Sequence, residues 1–451
     1  MYRSNKKSLG FTVVELAVVI VAIAILASIV IVAYNGIKEK ALDASLKSDL
    51  DSASSTLEMD YKRLGSYPTT ITAANNGGGL IATGNNVFTY NPKSYGYCLT
   101  VSNPRLSTTY QIKSSDPTKI STGTCTDTYT VSTFAGSGAQ GFADGVATVA
   151  KFNGPDGLAV DASNNVYVAD SFGHRVRKLD STGTVSTYAG SGSFGYQNGS
   201  SASAQFQIPS GITVDSSGNV YLTDTYDHRV RKITPGGTVS TFAGTGTQGY
   251  AEATGSSVQF SIPAGIIDDA SGNLFIADSN NMRIRELTPL AVSSTFAGSA
   301  TVGSADGTGA TAQFSIPWGM AIDSSGNMYV SDYNNDAIRK ITPAGVVTTL
   351  AGGTQGYADG TGAAAQFNQP KGVAVDSVGN VFVSDTYNNR IRKITPAGVV
   401  TTVAGSGVAG YAEGVGTAAQ FNQPTGIAID SKGNIYVSDY NNNRVRLITA
   451  Q

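Results

Sequence analysis

QFNQPKGVAVDSVGNVFVSDTYNNRIRKITPAGVVTTVAG, residues 366–405, carries four short β patterns in a row. They are GVAVD, NVFVSD, RIRKI and VVTTVAG, each rich in the β-branched residues that suit a half-buried pleat. The turns between them contain S-x-G-N and T-P-x-G, where Gly, Asn and Pro supply the needed backbone angles. The unit recurs along the chain. The prolines of its F-x-x-P motif fall at 155, 209, 263, 317, 370 and 424, at intervals of 54 residues, with one of 53. Self-similarity at a fixed period means a solenoid or a propeller. Four antiparallel strands per unit and six units predict an all-β, six-bladed β-propeller over residues 128–451.

The ring's closure is also readable. The last unit ends in RVRLITAQ (444–451) and lacks a fourth strand, while an orphan strand, TVSTFAG (130–136), precedes the first unit. The orphan is predicted to pair with 444–449 and complete the last blade, so that no blade edge stays open. SFGHRVRKL (171–179), TYDHRVRKI (225–233) and TYNNRIRKI (386–394) resemble NHL repeats, and the resemblance covers residues 128–451.

The repeat supplies its own control, because positions that hardly vary between blades serve the scaffold. Just after the proline, at the predicted channel mouth, the blades carry Asp156, Ser210, Ala264, Trp318, Lys371 and Thr425. The turn after the second strand carries Phe172, Tyr226, Asn280, Asn334, Tyr387 and Asn441. Mixed aromatic, acidic and basic groups at a concave mouth suit recognition of a peptide or glycan. An unconstrained surface explains them equally well. The candidates for ligand binding are Asp156, Trp318, Lys371, Phe172, Tyr226 and Tyr387, with His174 and His228 from equivalent turns. Asp170, Asp224, Asp278, Asp332, Asp385 and Asp439 recur at second-strand ends and are expected to pair with, or cap, the third-strand Arg175, Arg229, Arg283, Arg390 and Arg444. The loop acids Asp144, Glu252, Asp306, Asp359 and Glu413 read as structural. Asp268 stands where the other blades have Val or Ile, so it either faces the channel or marks a register shift.

Composition narrows the function. Glycine numbers 53, charged residues are 14% against roughly 25% in ordinary domains, and the net charge is −2. No basic block follows the N-terminus, so a nucleic-acid role finds little support. The resemblance brings zinc-dependent lyases and lactonase-type hydrolases into view. Those enzymes need several histidines or carboxylates on one metal, and this chain has two histidines and two cysteines. No Ser/His/Asp or Cys/His constellation appears. The reading is therefore a binder with no catalytic residue, no metal site and no cofactor, an ion in the channel being left open. A surface-tethered metal-dependent lyase or hydrolase is the alternative.

The N-terminal segment sets the location. MYRSNKKSLG (1–10) is basic, and FTVVELAVVIVAIAILASIVIVA (11–33) is an apolar run long enough to span a bilayer. Glu15 interrupts it, at a cost of about 2.5–3.5 kcal/mol for a membrane helix. Gly10, Phe11 and Glu15 at this spacing resemble the type IV prepilin signal. The resemblance implies cleavage between Gly10 and Phe11 by a prepilin peptidase, methylation of the new N-terminus, and pairing of Glu15 with a neighbouring pilin subunit. It also implies insertion in the bacterial cytoplasmic membrane before assembly, then a place on a pilus or the cell surface facing an external protein or glycan. Apolar residues Ile37, Ala41, Leu42, Leu46, Leu50, Leu57 and Tyr61 continue the helix until Gly65 and Pro68 stop it. The expected organisation is a leader (1–10), a transmembrane and assembly helix (11–34), a small α+β pilin-like stem (35–127) closed by a Cys98–Cys125 disulfide, and the propeller (128–451).

Overall fold

The computed structural model describes residues 13–64, 66–68, 70–93, 96–106, 108–114, 116–122 and 127–450. Gly10, Phe11 and Cys125 lie outside them, and Glu15 is described only as a position on the first helix. The chain divides into two compact units, Met1–Thr126 and Asp127–Gln451.

The first unit is one long helix, Val13–Leu64, and a four-stranded antiparallel meander. Its strands are Val87–Lys93, Gly96–Ser102, Tyr110–Lys113 and Asp116–Thr122. Leu46, Leu50, Ala53 and Leu57, spaced by three and four residues, form one stripe of the helix and pack on Tyr97, Leu99, Val101, Tyr110 and Ile112. Ile37 and Tyr61 point outward instead of joining that stripe, because the sheet packs over a shorter part of the helix than the apolar pattern suggests. Val21, Ile25, Leu26, Ile29, Val30 and Val32 are likewise exposed. Among the described residues no helix is long and apolar enough to cross a membrane; the apolar run 11–33 is only partly among them. Cys98 is disulfide-bonded.

The second unit contains six antiparallel sheets, each built from four principal strands, which in the first five follow one another in sequence. In the second sheet these are Pro209–Val214, Val220–Asp224, Arg229–Ile233 and Thr238–Ala243. The first strands neighbour one another in a closed ring, the sixth sheet returning to the first. Closure is made by Tyr129–Ala135, which pairs antiparallel with Arg444–Ala450 from Val445↔Ala135 to Ala450↔Tyr129. Glu413 accepts the Thr133 N–H at 2.9 Å and pins that strand from the adjoining loop. Apolar side chains fill the seams between sheets. Leu158, Val166 and Val168 of the first sheet, for example, meet Ala428, Tyr436 and Val445 of the sixth.

The conserved charges within the repeat are arranged differently from the expected pairing. Each second-strand aspartate meets the second arginine of R-x-R: Asp170–Arg177, Asp224–Arg231, Asp278–Arg285, Asp332–Arg339, Asp385–Arg392 and Asp439–Arg446, at 2.8–3.1 Å with both side chains fully buried. Loop cover explains the correction. Arg175 and its equivalents lie opposite the aspartates in register; both arginines of R-x-R share one face of the strand, and the second is the one that the loop and the F-x-x-P phenylalanine cover, as Lys151 and Phe152 cover Arg177. The other carboxylate oxygen accepts the N–H of the residue after the F-x-x-P phenylalanine, as from Asn153 to Asp170 at 2.7 Å. The buried guanidinium lies over that phenylalanine and donates to loop carbonyls, as Arg231 does over Phe206 and to Gln205 and Gln197. Three of the loop acids, Asp144, Asp306 and Asp359, reach the same arginines. The first arginines stack on loop aromatics instead: Arg175 on Phe142, Arg229 on Tyr196, Arg283 on Tyr250, Arg390 on Tyr357 and Arg444 on Tyr411, at 3.7–4.0 Å. The fourth sheet has lost both partners at once, with Ala337 for the arginine and Ser304 for the aromatic.

Candidate functional site

At one end of the ring the chain leaves each proline, turns through one variable residue and enters a glycine. The six glycines are 157, 211, 265, 319, 372 and 426. A Cβ on any of them would stand 2.1–2.2 Å from the carbonyl oxygen of the next sheet's variable residue. No side chain fits there, so the first strands approach backbone to backbone and the variable residues crown the channel. The crown encloses about 290 Å³ of space open to solvent. Beyond the glycines the channel is walled by Leu158, Ile212, Ile266, Met320, Val373 and Ile427.

The structure brings Asp156, Trp318 and Lys371 together in this crown. Ser210 donates its hydroxyl to Asp156 at 2.6 Å. Lys371 Nζ lies 4.8 Å from the Trp318 ring centre and 5.9 Å from that of Tyr333. Trp318 and Tyr333 are 5.8 Å apart. Phe172, Tyr226 and Tyr387 are exposed on turns outside the crown-lining residues.

Sequence reasoning missed Tyr333 and Tyr440. At their position the other sheets carry Ser171, Thr225, Ser279 and Thr386, whose hydroxyls donate to the next sheet's proline carbonyl at 2.6–2.8 Å. Tyrosine in a Ser/Thr column was the available signal. Tyr333 donates instead to Gln369 at 2.9 Å. Burial, followed by a hydrogen bond with Tyr387, raises the Tyr333 phenol pKa. Burial and then the Asp156 charge raise that of Tyr440.

His174 and His228 are not in the crown. Their position closes the turn in the left-handed region, at φ 52° and 50°, and its side chain spans to the next sheet. His228 Nδ1 accepts the Ile262 N–H at 3.2 Å. Asp336, Asn389 and Asn443 accept the equivalent N–H at 2.7–3.1 Å. The His228 Nδ1 cannot both accept that bond and carry a proton, the His174 Nδ1 is buried without a partner among the described residues, and burial lowers the pKa of both histidines. Their folded pKa values are depressed below the ordinary 6.5, so the unfolded chain takes up protons first as pH falls. Stability is complete above about pH 6.5 and declines below it. Replacing both histidines by asparagine, the residue of the fifth and sixth sheets, is expected to flatten the melting-temperature profile below pH 6.5. An unchanged acid slope would refute this role.

Asp268 keeps the common register, pairing with Leu274 as Val214 pairs with Val220, so no shift explains it. Its partner is Thr213 of the preceding sheet, which donates at 2.5 Å, and burial raises its pKa. Among the described residues no group of three His, Cys, Asp or Glu could hold a metal ion.

Comparison with known proteins agrees with the repeat. The NHL repeat family model matches residues 152–179, 206–233, 367–394 and 421–446, the first, second, fifth and sixth units. The chain is 30% identical over 316 residues to SUPPRESSOR OF QUENCHING 1 of Arabidopsis thaliana, a match covering 65% of this chain and 30% of that protein. It is 28% identical over 335 residues to NHL repeat-containing protein 2 of Bos taurus, covering 65% and 46%. It is 34% identical over 139 residues to the peptidyl-glycine alpha-amidating monooxygenase of Mus musculus, covering 30% and 14%. The chain thus spans less than half the length of these relatives. Among solved structures, a Bacteroides thetaiotaomicron protein of unknown function superposes with TM-score 0.57 at 23% identity, covering 81% of this chain and 87% of that one, a likeness of fold.

Proposed function

We propose that this chain is a surface-tethered recognition protein. In this reading the NHL repeats form a six-bladed propeller that takes an external protein or glycan at the crown, and the N-terminal helix is a type IV pilin-like anchor and assembly element. The crown carries the reading. The scaffold repeats almost unchanged through six sheets, yet Asp156, Ser210, Trp318 and Lys371 converge on one open mouth without a scaffold reason to differ. The exposed side chains of Val21, Ile25, Leu26, Ile29, Val30 and Val32 on the helix support the anchor.

Two measurements test it. A screen of the full-length chain in detergent against surface glycans and proteins is expected to find a ligand whose affinity falls at least tenfold in Trp318→Ala. Binding indifferent to that change would move the site elsewhere. Co-expression with a prepilin peptidase is expected to remove residues 1–10, and Gly10→Val to block the cut. An uncut wild-type chain would end the pilin reading.

A second reading is a surface-tethered propeller enzyme, a metal-dependent lyase or hydrolase; the match to a protein named as an enzyme, the amidating monooxygenase, favours an enzyme. Stoichiometric zinc in the purified protein would support it over the first.

A further inference from the structure

We propose that the crown recognises a carboxylate through Lys371, and that its ligand class is a glycan ending in a uronic acid. This rests on the crown being the binding site.

Three departures from the repeat touch one another here, and one of them removes an ordinary scaffold feature. Tyr333 gives up the hydroxyl bond that four other sheets make to the following proline carbonyl, and its ring stands beside Trp318. Lys371 follows the proline of the next sheet and lies against both rings. Nothing in the fold requires a lysine here, because the other five sheets close the same ring with Asp, Ser, Ala, Trp and Thr.

Among the described residues Lys371 makes no ion pair. Aromatic faces hold an ammonium in place without neutralising it, so a half-buried, positioned cation is left for an incoming anion. The one acid of the crown, Asp156, already receives a hydroxyl from Ser210. It lies in the first sheet, diametrically opposite Trp318 in the ring order, with Lys371 in the sheet next to Trp318. A second carboxylate there would be repelled, whereas hydroxyls can donate to Asp156 as Ser210 does. One anionic group together with hydroxyl donors at an open mouth describes a uronic acid residue at the end of a glycan. An amino acid, which would offer Asp156 an ammonium, is the competing class.

Trp318 is the only tryptophan, so intrinsic fluorescence reports from the crown. Full-length protein in detergent is titrated with glucuronate-terminated and glucose-terminated oligosaccharides of equal length, and with glutamate. A saturable change is expected with the acidic sugar, at least tenfold weaker binding of the neutral one, and weakening by salt. Lys371→Gln is expected to abolish that preference and Lys371→Arg to keep it, both with unchanged melting temperature. The comparison of sugars on the wild-type protein stands even if a variant misfolds. Equal binding of acidic and neutral sugars overturns the carboxylate claim but leaves the crown as the site. Tighter binding of glutamate overturns the uronic acid. A silent fluorescence titration, beside a different ligand whose binding Trp318→Ala abolishes, overturns the class alone. If no screened ligand depends on Trp318, this proposal and the function it rests on fall together.

Discussion

Arg231→Met is expected to cost the propeller about 3–5 kcal/mol, the usual loss when one partner of a buried ion pair is removed. Arg231 and Asp224 are 2.8 Å apart and fully buried. Removing the guanidinium strands a carboxylate whose only other partner of note is the Gln207 N–H. It also releases the loop carbonyls of Gln205 and Gln197. Replacing both partners, with Asp224→Leu added, is expected to recover much of the loss, because two well-packed apolar groups need no neutralisation. Denaturant unfolding of the single and double variants measures both effects. A single variant within 1 kcal/mol of wild type would show the pair to be dispensable.

The same variant carries a pH signature. Burial already pushes Asp224 up to about 7 with Arg231 in place, and losing the cation pushes it higher. The folded carboxyl then binds a proton that the unfolded one, with pKa near 3.8, does not take up until more acidic pH. The deficit of Arg231→Met is therefore full above the variant's raised folded pKa and shrinks as pH falls to about 7, below which the wild-type carboxyl is protonated as well and the difference levels off. A deficit that grew on acidification would contradict the assignment of the stranded charge to Asp224.

The periodic features of the fold were legible because they repeat. The F-x-x-P spacing, the four β patterns per unit and the missing last strand each restate one register, and the closing strand Tyr129–Ala135 follows from that bookkeeping. The ion pair was misread by two residues. R-x-R presents both arginines on one side of a strand, and the sequence alone does not say which is covered by the next loop. The crown was half legible: Asp156, Trp318 and Lys371 stood out by column, whereas Tyr333 was hidden because its column is polar and looks like an ordinary turn. The histidines misled for the opposite reason. Their chemistry suggested a site, but they stand in a column with Asn389, Asn443 and Asp336 that serves as acceptor between sheets, a bond that His228 makes.

Gly319→Ala is the second large effect expected, and it separates the crown's frame from its contents. Its Cβ would lie 2.1 Å from the Lys371 carbonyl oxygen and 3.2 Å from the Gly372 Cα. Both are backbone atoms of the adjoining first strand, so no rotamer change relieves the clash. Overpacking costs about 1–3 kcal/mol where side chains can shift, and the upper end or beyond is expected here because two strands must part. The strand that moves carries Lys371, and the one that pushes it carries Trp318. Loss of stability should therefore come with a changed Trp318 emission in the still-folded protein. Gly236→Ala is the control: its Cβ meets nothing nearer than the Thr234 hydroxyl at 3.8 Å, and it should be neutral or stabilising by about 0.4–1 kcal/mol through the unfolded chain. Equal behaviour of the two variants would mean that the glycine ring does not set the spacing of the first strands. The crown would then be held by its side chains alone.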